Sequence, residues 1–321
     1  MEDNYPRFKA AAIQAAPVFL DRAGTISKAC KLVKEAASEG AELAVFPETY
    51  VPGYPHWFTF MEAREGMARF SKRLFENSVV IPGPETDLLC AVAKEARCHV
   101  AIGLTERRAR TLGTLYNTQL FIDDNGNVLG KHRKVMPTGV ERLVHAQGDG
   151  STMKVYPTRL GEIGGLICGE HTNMLACFAL LALGEKVHAA SWPAFPAKNE
   201  AEVIRTKTGM EVRSKYYAFA GKVFVVNSCG VLDDHTLEAA GAVDQGSSLV
   251  SRGGGSSIVG PDGRYIAGPA GDKEEIVYGE IDLSRVPPLK AAQDITGHYN
   301  RFDIFKFKMV TTENEPIELD K

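Results

Sequence analysis

The chain has 321 residues, with 37 Lys+Arg set against 40 Asp+Glu for a formal net charge of −3. Its 44% hydrophobic and 24% charged residues are the composition of a globular protein able to fill a sizeable core, which excludes a disordered tail protein. The near-neutral balance, with a pI of about 6.3, leaves no basic footprint for nucleic acid or an anionic membrane face, so the composition points to a small-molecule partner. Six cysteines (Cys30, Cys90, Cys98, Cys168, Cys177 and Cys229) form no Cys-x-x-Cys pair and no dense framework, which fits a reduced, cytoplasmic protein. Lys9 to Leu20 imitates a secretory signal only in part, since Gln14 and Pro17 break it and Glu2-Asp3 precede it. No run approaches the roughly 18 apolar residues of a membrane span.

Apolar runs of strand length alternate with helix-length segments from the start. Phe8 to Ala16 reads as a buried strand, Gly24 to Ser38 as an amphipathic helix stopped at Gly40, and Leu43 to Phe46 as a second strand. Helical segments over Phe60 to Glu76 and Thr86 to Ala96 follow, then a strand from His99 to Thr105. Leu115 to Ile122 and Val128 to Val135 flank Asp124-Asn125-Gly126-Asn127, and Asn-Gly between apolar runs is a strong hairpin signal.

The second half repeats this order. Ile163 to Ile167 reads as a strand, Thr172 to Leu183 as a nearly all-apolar helix ended by Gly184, and Val187 to Ser191 as a strand. A helix over Asn199 to Ala220 leads into the strand Val223 to Asn227, and Pro261-Asp262-Gly263 joins Ser256–Gly260 to Arg264–Ala267 as a hairpin. Residues 8–135 and 160–282 therefore read as two weak copies of one plan. The predicted fold class is α/β, a four-layer α-β-β-α sandwich built from two similar sheet-and-helix halves. No Pro/Ser-rich linker divides the chain, so 1–321 reads as one domain with a short C-terminal tail from about residue 306.

Three strands end in reactive residues, and strand carboxyl ends are where α/β sheets place ligands. Leu43-Ala44-Val45-Phe46-Pro47-Glu48 stops in a carboxylate, Gly130-Lys131-His132-Arg133-Lys134 carries cations, and Leu166-Ile167-Cys168-Gly169 stops in a thiol. Cys168 is the sharpest candidate, because a strand-to-helix turn exposes a nucleophile and the helix N-terminus behind it favours thiolate. The other five cysteines read as small apolar core residues. Taken alone, Glu48 reads as a loop-start carboxylate, Lys134 as a solvated strand charge and Glu141-Arg142 as a local ion pair.

Cys168 and His171 stand three apart, with His132, His145 and His188 elsewhere, but no pair has the spacing of a zinc site, so no metal is expected. Gly-x-Gly-x-x-Gly at the start of a helix, Gly-x-x-x-x-Gly-Lys-Ser/Thr and Gly-x-Ser-x-Gly do not occur.

Three features together are far more specific than any one: Phe46-Pro47-Glu48; His132-Arg133-Lys134-Val135-Met136-Pro137-Thr138 with Glu141-Arg142; and Cys168-Gly169-Glu170-His171. They resemble the nitrilase (carbon-nitrogen hydrolase) superfamily, in its chain order Glu, Lys, Cys, and the resemblance runs from about residue 8 to 305. Leu115-Tyr116-Asn117-Thr118, Gln147-Gly148-Asp149-Gly150, Trp192-Pro193 and Gly297-His298-Tyr299-Asn300-Arg301 belong to it. Cys-x-Glu followed by His, with Pro-Thr and Glu-Arg after the lysine, resembles the true nitrilase branch.

The resemblance implies Cys168 as nucleophile, Glu48 as general base, Lys134 as the cation that stabilises the intermediate, and Glu141 as a second carboxylate positioning Lys134 or water. It implies hydrolysis of a small organic nitrile to acid and ammonia without metal or organic cofactor. It also implies a homo-oligomer built from dimers that extend into spirals, to which the apolar helices at 172–183 and 199–220 would contribute. Tyr54 and Trp57, in the aromatic loop after Glu48, and Trp192, after a second-half strand, are candidate pocket residues. So is Gly169, where most nitrilases carry Trp; Phe302 likewise stands where most carry Pro. An amidase of the same fold and a non-catalytic binding protein on this scaffold are the other readings.

Overall fold

The protein is described from a computed structural model, which covers residues 5–242, 244 and 248–314. The first half opens with β1 (Arg7–Gln14), α1 (Arg22–Ser38) and β2 (Ala41–Val45). Asp21 caps α1 by accepting from the Gly24 N–H, and Ile26, Ala29, Val33 and Ala36 fall on one buried stripe at helical spacing. A short α2 (Trp57–Phe60) precedes α3 (Ala63–Glu76), so the expected Phe60–Glu76 helix is interrupted where Met61 takes an extended conformation. Then come α4 (Pro84–Ala96), β3 (His99–Arg107), β4 (Leu115–Ile122), β5 (Val128–Arg133) and β6 (His145–Ala146).

The second half comprises β7 (Tyr156–Thr158), β8 (Gly161–Ile167), α5 (Met174–Ala182), β9 (Val187–Trp192), β10 (Pro196–Ala197), α6 (Glu200–Gly221), β11 (Phe224–Cys229) and α7 (Asp234–Ala239). It closes with β12 (Ser251–Arg252), β13 (Ser257–Val259), β14 (Tyr265–Ala267), β15 (Glu275–Asp282) and α8 (Val286–Ala292).

One sheet runs β15-β1-β2-β3-β4-β5 with β6 beside β4, and the other runs β14-β13-β11-β9-β8-β7. Five strands of each match in order and direction. In the first, β1, β2 and β3 are parallel neighbours and β4 and β5 turn back antiparallel. In the second, β8, β9 and β11 are parallel and β13 and β14 turn back. The predicted hairpins close on Gly126 and Gly263, whose φ of 81° and 77° are left-handed conformations that glycine adopts without penalty.

Between the sheets, Ala10, Ala12, Leu43 and Val45 pack against Ile163, Val187, Ala189 and Val226. The outer face of the first sheet is covered by α1 and α4, and that of the second by α5 and α6, giving the four expected layers. One strand crosses the duplication: β15, from the second half, pairs antiparallel with β1 from Arg7↔Asp282 to Gln14↔Glu275, so the second half completes the first half's sheet.

Candidate active site

The site forms where strand ends from both sheets meet. The Glu48 N–H donates to the Trp192 carbonyl at 3.2 Å, and Ser191 Oγ donates to the Phe46 carbonyl at 2.9 Å. Because Ile167 lies opposite Ser191 in the parallel β8–β9 ladder, Cys168 leaves its strand beside these two contacts. β5 ends at Arg133, so Lys134 stands just past the strand, its N–H donating to the Asn117 carbonyl at 2.8 Å.

The Lys134 ammonium is 1% exposed and is shared by two carboxylates, Glu48 Oε1 at 2.6 Å and Glu141 Oε2 at 2.7 Å. The Asn117 amide bridges the same pair, donating to Glu48 Oε1 at 2.6 Å and to Glu141 Oε1 at 2.5 Å. Two acids on one base cannot be equivalent. Burial pushes Glu48 up to about 7 against the pull of Lys134, with the charge of Glu141 adding to the rise. Burial works the same way on Glu141, but His145, with Nδ1 at 3.5 Å, and Lys134 outweigh it and hold Glu141 at about 2. The environments thus split the pair into a permanent anion and a group poised to take a proton. The second oxygen of Glu48, Oε2, is buried with no hydrogen-bond partner.

Cys168 opens a 3-10 turn, Cys168–Thr172, at a φ of 49°. A left-handed conformation costs a side-chain-bearing residue about 1–2 kcal/mol, so its surroundings must impose it. Two side chains of the turn do so. Glu170 accepts from the Ile167 N–H and the Val135 N–H at 2.8 Å each and meets His132 Nε2 at 2.9 Å, tying both flanks of the thiol and the lysine together. His171 Nδ1 lies 2.8 Å from the Cys168 carbonyl.

The expected helix at 172–183 begins later, at Met174 with Asn173 as its cap, so the thiol sits on the 3-10 turn and not at an α-helix N-terminus. The expectation of a resting thiolate is corrected accordingly. Burial and the carboxylate of Glu48 raise the Cys168 thiol well above its ordinary range, more than Lys134 lowers it.

Residues 9–291 match the family model described as carbon-nitrogen hydrolase. The chain belongs to the carbon-nitrogen hydrolase family. It is 37% identical over 312 residues to an aliphatic nitrilase of Rhodococcus rhodochrous, covering 97% of this chain and 84% of that one. A nitrilase of Bacillus sp. (strain OxB-1) is 36% identical over 317 residues, covering 98% and 91%. Among solved structures, the carbon-nitrogen hydrolase of Helicobacter pylori G27 shares the fold at a TM-score of 0.73 and 21% identity, over 90% of this chain and 94% of that chain.

In this carbon-nitrogen hydrolase the four candidate pocket residues separate. Tyr54 stands at the charge cluster, where burial and the carboxylates of Glu141 and Glu48 raise its hydroxyl. Trp57 is elsewhere: it stacks on Phe70 at 5.0 Å and borders a cavity of about 350 Å3 that none of Glu48, Lys134, Glu141 and Cys168 lines. Trp192 is fully enclosed against the turn that Cys168 opens, its Nε1 donating to Asn227 Oδ1 at 3.1 Å and its ring stacked on His171 at 4.7 Å. The space beside Gly169 is not open, because a Cβ there would come within 2.7 Å of Thr138 Oγ1.

The sequence motifs contained Asn117 and Glu170 without showing what they do. Asn117 is one of two amides, with Gln119, in a strand whose residues are all buried, and the sequence does not say which of them meets the carboxylates. Arg213 of α6 gave no signal, yet its charge reaches both Cys168 and His171.

Proposed function

We propose that this chain is a nitrilase that hydrolyses a small organic nitrile to the carboxylic acid and ammonia through a cysteine-bound intermediate. The observation that carries the reading is the Glu48–Lys134–Glu141 cluster beside Cys168, in which one buried carboxylate oxygen, Glu48 Oε2, lacks a partner. A nitrile carbon is a weak electrophile, so the sulfur must be ionised as it attacks. Glu48 takes the thiol proton, and the sulfur–carbon bond forms as an electron pair moves onto nitrogen, giving a thioimidate once nitrogen is protonated. Water adds to the carbon, and the tetrahedral species expels ammonia to leave a thioester. A second water releases the acid and returns the proton to sulfur.

Lys134 and the backbone N–H of Gly169, at the start of the 3-10 turn, stabilise the charge that develops on nitrogen and then on oxygen; one such donor contributes about 3 kcal/mol. Glu141 stays ionised, holds Lys134 in place and favours a protonated, departing nitrogen. Tyr54 borders the substrate. Ammonia release from a panel of aliphatic, aromatic and arylacetonitrile substrates, each beside its matching amide, tests the reading. Turnover of amides alone would replace it with an amidase, and no turnover with selective thiol labelling absent would favour a binding protein.

The same reading takes 1–321 as one catalytic domain, with a tail from about residue 306, working in the cytoplasm. Among the described residues no helix is long and apolar enough to cross a membrane. Self-association through α5 and α6 completes the proposal, because Leu175, Tyr216 and Phe219 are 66%, 52% and 50% exposed on neighbouring helices. Light scattering should find dimers or larger spirals at micromolar concentration, and a 34.9 kDa particle alone would count against this.

A further inference from the structure

Behind the nucleophile runs a chain of buried polar groups that the hydrolytic steps do not use. His171 Nδ1 lies 2.8 Å from the Cys168 carbonyl, His171 Nε2 lies 2.9 Å from His188 Nε2, and His188 Nδ1 lies 2.8 Å from Glu185 Oε1. The Tyr217 hydroxyl donates to the other oxygen of Glu185. All four side chains are buried, on β9, α6, the 3-10 turn and the loop after α5.

The hydrogens follow from the end of the chain. A carbonyl only accepts, so His171 Nδ1 carries a hydrogen. Burial beside His188 keeps His171 neutral, so its Nε2 is a lone pair and His188 Nε2 donates to it. One further proton lies between His188 Nδ1 and Glu185, and whichever partner holds it the pair is net neutral and every link is satisfied. The chain cannot relay a proton to the thiol, since it stops on a carbonyl oxygen. It can hold that carbonyl still. His171 also stacks on Trp192, whose own carbonyl accepts from the Glu48 N–H at 3.2 Å, so one imidazole braces the backbone of both the thiol and the carboxylate.

We propose that His188, Glu185 and Tyr217, acting through His171, are positioning residues that hold Cys168 in its left-handed conformation and in register with Glu48. The proposal rests on Cys168 being the nucleophile. The experiment therefore first labels the wild-type enzyme with iodoacetamide: failure to modify Cys168 with loss of activity sinks that assignment.

With it in hand, Glu185→Leu and His188→Phe should each lower kcat about tenfold or more while KM stays within about twofold, because misplacement of the reacting group costs rate and not binding. Glu185→Gln should recover kcat to within about threefold of wild type, since its amide can donate to His188 and accept from Tyr217. Any other pattern in folded protein overturns the proposal. Should the leucine or phenylalanine variants fail to fold, Tyr217→Phe decides. A fall in kcat of about threefold or more at unchanged KM supports the chain, and wild-type kcat removes it.

Discussion

In the first half, β2 runs out into Phe46-Pro47-Glu48; in the second, β9 runs out through Trp192 into Pro193-Ala194 at the matching place in its sheet. The two aromatic–proline exits brace one another through the Glu48 N–H and the Ser191 hydroxyl. At the next position they diverge. Glu48 joins the lysine cluster, whereas Ala194 packs in an apolar cluster with Phe19, Trp57 and Leu237.

The same holds for β1 and β8. β1 ends in Gln14, whose amide is spent on the carbonyls of Gly271 and Lys273 and the N–H of Ser256, while β8 ends at Ile167 and hands on to Cys168. Duplication supplies two matching sets of strand ends, but the proposed chemistry uses one residue from each pair. Of the counterparts, Ala194 packs among apolar side chains and Gln14 holds backbone, because a second set of charges in the same dry space would have no partners.

The hardest test of that division compares two cysteines of the second half. Cys168→Ala should abolish turnover with an unchanged melting profile, whereas Cys177→Ala, buried in α5, should keep activity and cost about 1 kcal/mol of stability by thermal melting. Comparable residual activity in the two variants would sink the nucleophile assignment.

Next in size is Glu48→Gln, which removes the proton acceptor with little change of shape and should lower kcat by about 10²- to 10⁴-fold. Ala194→Glu, at the matching exit, should not restore it, since the added carboxylate would lie unpaired among aromatic rings; rescue would mean that the two exits are interchangeable.

Lys134→Arg should cost about 10²-fold or more, because a planar fork cannot replace a compact ammonium between two carboxylates 2.6 and 2.7 Å away. A near-normal rate would make Lys134 dispensable and turn attention to Lys131.

The pH profile sharpens the comparison between the two carboxylates. The base form of Glu48 appears as pH rises through about 7, so kcat/KM should climb across that range, and a flat profile between pH 6 and 8 would contradict Glu48 as the base. Stability should move the other way. A carboxyl raised from 4.5 to about 7 binds its proton more tightly in the folded state, so its contribution is present at low pH and is lost as pH rises through about 7. Glu141, held at about 2, contributes above its ordinary value of 4.5 and loses that contribution only as pH falls through about 2.

The smallest effect concerns Gly169. Acid should be the main product, with some amide from loosely fitting nitriles, because a tilted tetrahedral intermediate can expel sulfur instead of ammonia. Gly169→Trp, combined with Thr138→Ala to clear the 2.7 Å approach, should narrow the substrate range and lower the amide fraction read by chromatography. An unchanged range, with no amide from any accepted nitrile, would reduce the position to packing.

Cys168 was legible because it follows directly on a short apolar strand, a pattern visible without knowing what faces it, whereas Glu48 and Lys134 were singled out only by the motifs around them. Trp57 was misleading, since an aromatic after a candidate base reads as a pocket wall whether or not it turns inward. Asn117, Glu170 and the His171–His188 pair carried no legible role, because an amide, acid or imidazole has meaning only through its partner.

The sequence by itself determined the alternation of strands and helices, the two glycine hairpins and the duplicated plan, all of which rest on periodicity and turn chemistry within a few residues. Tertiary structure alone decided that β15 crosses to the other half's sheet, that Lys134 meets a carboxylate 86 residues away, and that the two carboxylates differ in acidity. Those properties come from burial and short-range contact between groups distant along the chain, and neither exists until the sheets close on one another.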